Sequence, residues 1–143
     1  MAHIIDLDKI PDWLESMCGH YNRGSWREVR VHVKGGQFEW SLEKVELYVP
    51  VATKYEELRK ELDGLQVYNV NLMDFLLENQ SLIPEEWKEK EIVFWGTHVF
   101  HFYGYCSGMV HFSMRFDGQK WEGINRPNRY SNIAIPVMKK GDE

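Results

Sequence analysis

Three of the six histidines fall inside one aromatic stretch, and imidazole is the side chain best suited to proton transfer or metal binding near neutral pH. His98, His101 and His111 lie between Glu91 and Trp121. If residues 104–108 close a five-residue loop, Tyr103 faces Met109 and His101 faces His111. Two imidazoles so placed can share a metal ion, while alternation sends His98 to the opposite face. Zinc, however, requires three or four ligands. Asp117 lies several residue pairs down the ladder and Cys106 lies in the loop. A small-molecule binder or metal-dependent enzyme using His101 and His111 is therefore the alternative reading. Cys106 with Ser107 and a neighbouring histidine offers a nucleophile, but nothing marks the oxyanion pocket it needs. Gly35-Gly36 and residues 104–108 lack the helix start and spacing of a phosphate-cradling loop. No catalytic residue and no cofactor follow.

The elements that must carry these residues read as a meander. Residues 91–121 are dense in Phe, Tyr, Trp and Val, which suit a pleated surface, and are broken at Gly104, Ser107, Gly108 and Asp117-Gly118. Alternation gathers Phe94, Phe100, Phe102, Val110, Phe112, Met114 and Phe116 on an apolar face. It gathers Trp95, Thr97, His101, Tyr103, His111, Ser113 and Arg115 on the other. On that second face Trp95, Tyr103 and Tyr105, with Trp121, form either an exposed ring-lined binding patch or core beneath the helices.

The fold class that follows is α+β: an antiparallel meander or hairpin sheet packed with about three short helices. Strands are expected near 26–33, 37–49 and 92–122, and helices near 9–18, 54–63 and 72–79. Val29, Val31 and Val33 alternate with polar residues, and Gly35-Gly36 suggests a hairpin turn leading to Phe38 and Trp40. Thr53 and Glu56 have capping-box spacing. Pro84 opens a short helical turn whose Trp87 would plug the meander. Residues 133–137 suggest an edge strand, because Pro136 lacks an N–H.

Length and charge bound the rest. One domain over 1–143, with a frayed tail at 138–143, suits a chain of 143 residues. A net charge of −5 argues against a nucleic-acid partner, which demands phosphate neutralisation. The apolar stretches are too broken to span a membrane, and the first residues carry no secretory pattern. Cys18 and Cys106 fit no metal or redox spacing, so a cytoplasmic location with reduced thiols is expected. Aromatic residues make up 14% of the chain, and ring surplus with an acidic middle suits recognition. A non-catalytic interaction protein with a protein partner is thus the first reading.

The segment Ile83-Pro84-Glu85-Glu86-Trp87 leading to Val93-Phe94-Trp95-Gly96-Thr97, with the helix before it, resembles a segment of small uncharacterised bacterial proteins. The likeness covers about a third of the chain and fades after Thr97. It implies a shared structural unit and brings no activity or functional residue.

Overall fold

The protein is described by a computed structural model covering residues 3–20, 26–103, 106–127 and 132–139. Its elements in chain order are β1 (Ile4–Asp6), α1 (Asp12–Met17), β2 (Gly19–His20), β3 (Trp26–His32), β4 (Gln37–Glu39) and β5 (Val45–Tyr48). The helices α2 (Tyr55–Glu61) and α3 (Val70–Glu78) follow, then β6 (Glu91–Tyr103), β7 (Cys106–Phe116), β8 (Trp121–Pro127) and β9 (Ile133–Met138). The fold is α+β, as expected. Among the described residues no helix is long and apolar enough to cross a membrane.

The central meander β6-β7-β8 is present, but its register differs from the expected one. Tyr103 stands opposite Cys106, and His101 faces Gly108 rather than His111. The pairing jumps between Phe94↔Phe112 and His98↔His111, so residues 95–97 of β6 have no counterparts on β7. Such an insertion bends a strand and re-aims its side chains. The bulge sits where β6 changes neighbours. Its start, Glu91-Ile92, pairs in parallel with β9, whereas Thr97 to Phe102 pair antiparallel with β3. The sheet is consequently mixed, not purely antiparallel.

Gly96 lies at the fork. Its N–H donates to the Tyr68 carbonyl, and its own carbonyl accepts from Val33. A Cβ at this position would come within 2.8–2.9 Å of the backbone of Tyr68 and Asn69. Only glycine permits so close an approach of two chains.

The first expected meander does not form. β4 pairs with β1 in a separate two-stranded sheet, and β5 pairs with β9. The Gly35-Gly36 turn is captured by the amino-terminal segment instead: Leu7 N–H donates to the Gly36 carbonyl, and Gly36 N–H donates to Asp8 Oδ1. A 3₁₀ turn at Leu42–Lys44 divides the expected 37–49 strand. β9 is no edge strand, since it lies between β5 and β6, with Val67 bridging Val137. Pro136 stands opposite Leu47 there, and its carbonyl accepts from Tyr68 N–H.

Helix starts also differ from their expected chemistry. Pro11 is the N-cap of α1, so the helix begins at Asp12 and is shorter than expected. Lys54 caps α2 without a side-chain bond, and Glu56 pairs with Arg59 instead of closing a capping box. Trp87 is buried, as expected for a plug.

Both faces of β6 are covered. On one, Ile92, Phe94, Phe112 and Met114 pack with Leu14 of α1 and Leu72 and Leu76 of α3. On the other, Val93 and Trp95 pack with Leu58 and Leu62 of α2 and with Ile133, Ile135 and Val137 of β9. Phe112 is 4% exposed, but Phe100, Phe102 and Phe116 are only half-buried, contrary to the expected seven-residue core face. The reason is local: Trp26 packs on Phe100 and Phe102 at the end of the sheet, with Arg30 over the Phe100 ring.

Candidate functional site

The bulge brings together residues that uninterrupted alternation would separate. His98 shares a face with His111, their rings meeting edge to face at 4.1 Å between centroids. Trp95 stacks on His111 at 4.3 Å, and Tyr55 of α2 closes the cluster 5.6 Å from His111. The side chains of His98 and His111 are almost wholly buried. One nitrogen of His98 bonds the Trp95 carbonyl, while its Nε2 has no partner among the described residues. Burial favours neutral imidazole, lowering His98 to about 4 and His111 further still, because burial acts there together with the nearby His98.

The expected His101 and His111 pair is therefore replaced by His98 and His111. This corrected pair is too close to hold an ion between its rings. Two imidazoles sharing one metal at about 2.0–2.1 Å per bond would place their centroids roughly 5 Å apart or more. Among the described residues no group of three metal-ligating side chains gathers anywhere. His101 lies beside Arg27 at the far end of the strand, and partial burial followed by that guanidinium lowers its pKa.

The four expected binding rings do not share one exposed patch. Trp95 is core beneath α2, and Trp121 is core against Phe116 near α3. Their burial follows from the coverage of both sheet faces. The Tyr103 side chain and the whole of Tyr105 lie outside the described residues.

The accessible chemistry lies elsewhere, in a groove of about 690 Å³ lined by Trp13, Met17, Met73, Asp74, Phe112, Gly123 and Ile124. Helix α1 supplies Trp13 and Met17 one turn apart, α3 supplies Met73 and Asp74, and β7 and β8 form the floor. Trp13 is 37% exposed at the rim and sets its ring edge-on to Phe112, 5.3 Å between centroids. Its indole Nε1–H donates to Asp74 Oδ2 at 2.7 Å. Burial raises the Asp74 pKa, the indole bond opposes that shift, and Glu78 one turn onward adds to it.

A buried polar network fixes this geometry. Asn69 caps α3 by accepting the Asn71 N–H, and its amide donates to the Leu7 and Val33 carbonyls. Asn71 donates to the carbonyls of Asp6 and Lys9, tying the lead-in of α1 to the start of α3. His32 Nε2 lies 2.9 Å from the Lys9 carbonyl, and Nδ1 lies 3.0 Å from Thr97 Oγ1. With the proton on Nε2, His32 donates to Lys9 and accepts from Thr97, whose oxygen accepts the Val70 N–H. Asn71 Oδ1 has no hydrogen-bond partner among the described residues, while the remaining bonds tie these packed elements together.

Neither groove nor network follows from the sequence reasoning. The signal that existed was Asn69 immediately before the apolar run of α3, a helix-start residue in the preferred class. Comparison of the chain with protein-family models, curated proteins and solved structures gives no match.

Proposed function

We propose that the protein works by binding a second protein in the groove between α1 and α3, without chemistry of its own, as an adaptor or inhibitor does. The supporting observation is the groove's composition: methionines, rings and an isoleucine around one carboxylate. Asp74 with its indole donor offers a point of recognition. It lacks, among the lining residues, the second titratable group that general acid–base catalysis or nucleophile activation uses. Methionine side chains adapt to irregular partner surfaces, and a tryptophan at the rim is a characteristic anchor. The net charge of −5 and the acidic stretch 56–91 favour attraction of a basic partner.

Photo-cross-linking tests the proposal. A benzophenone amino acid at position 17, expressed in the native host, should give one discrete adduct. The partner identified from it should bind the purified protein and bind Met17→Glu at least about tenfold more weakly. No adduct at position 17, or the same adducts from a probe at Val51 beside α2, would overturn it.

A further inference from the structure

Resting on that docking role, we propose that the groove recognises a lysine or arginine side chain, presented by the partner beside a bulky apolar residue, with Asp74 as its counter-charge. Asp74 spends Oδ2 on the Trp13 indole, and its Oδ1 has no hydrogen-bond partner among the described residues. Among the described residues no lysine or arginine lines the groove. Helix α3 adds to the negative field, because Glu78 is one turn from Asp74 and the last turn carries no basic residue.

The apolar walls suit the stem of such a side chain. Long cationic side chains lay their methylene stems along apolar surface and keep the charged head on a polar partner. Met17, Met73, Phe112 and Ile124 provide that surface around the acid. A partly desolvated carboxylate gains more from a bound cation than an exposed one does, since the pair is less screened. The upward pKa shift of Asp74, caused first by burial, agrees with an anion that lacks full compensation.

A pair of small probes tests this on the purified protein. Hexylammonium and 1-hexanol share the apolar chain and differ in the cation. Titrated at pH 7 and low salt, both are followed through the ¹⁵N-indole signal of Trp13, assigned by its loss in Trp13→Phe. Hexylammonium should bind about tenfold or more tightly than hexanol, the scale of one hydrogen bond to a charged group. In Asp74→Asn, which keeps an oxygen for the indole, the preference should vanish. Added salt at about 0.5 M should shrink it in the unmodified protein, a check that needs no variant.

Equal affinities, no movement of the Trp13 signal by hexylammonium, or a preference that survives Asp74→Asn would each overturn the cation assignment. Failure of cross-linking from position 17 strikes the docking role itself, so the two outcomes are distinguishable.

Discussion

The two sides of the β6-β7 hairpin place ionisable groups among rings in opposite ways. On the α2 side, His98 and His111 are almost wholly buried among Tyr55 and Trp95, and burial holds them neutral. On the α1/α3 side, Asp74 sits among methionines and rings but opens to solvent beside a partly exposed Trp13. Shifted titration alone does not mark a working site. Access decides, and the more strongly shifted groups here are the less reachable ones.

If the α2 side is structural, its rings should be costly to remove. Trp95→Ala should destabilise the fold by about 3–5 kcal/mol, the range for deleting a packed ring, read as a lower urea midpoint. An unchanged midpoint would break the contrast by showing the cluster to be loosely held.

Acid should act through the same cluster. His98 takes a proton near pH 6.5 when unfolded and only near 4 when folded, so the unfolded chain binds more protons between those values. The stability it contributes is complete above about pH 6.5 and falls as pH drops toward 4, by roughly 2–3 kcal/mol. Urea midpoints measured across that window should decline, and His98→Phe should flatten the decline. A pH-independent midpoint over the same range would show that the histidines are already solvated.

Gly96→Ala should cost about 1–3 kcal/mol, because the new methyl meets backbone and not a yielding side chain. Thermal unfolding tests this, and an unshifted melting temperature would mean that the two chains at the fork can separate freely. The smallest effect is expected on the groove side. Trp13→Ala should cost about 1–2 kcal/mol, since the ring is partly exposed yet packs on Phe112 and its indole bonds a half-buried acid.

What the sequence revealed is what depends on local pattern. The aromatic meander, the Asp117-Gly118 turn, three short helices and the Trp87 plug all follow from periodicity and turn chemistry over a few residues. The Asp117 carboxylate indeed accepts the N–H groups of Gln119 and Lys120. What it concealed depends on contacts distant along the chain. Three residues inserted at 95–97 move His98 onto the face of His111, and a period-two reading cannot register such a jump. The pairing of β1 with β4 and of β5 with β9 hides in the same way, because Gly35-Gly36 also suits an ordinary hairpin. The groove is assembled from α1, α3, β7 and β8, so Trp13 and Asp74 meet only in the folded chain, 61 positions apart.

The most direct test is the dissociation constant of the partner recovered from position 17, measured calorimetrically against the unmodified protein, Met17→Glu and His98→Phe. Met17→Glu should weaken binding at least about tenfold, whereas His98→Phe, if folded, should bind as the unmodified protein does. The reverse, with Met17→Glu silent and His98→Phe impaired, would place the working surface on the α2 side and contradict the division drawn between the two faces.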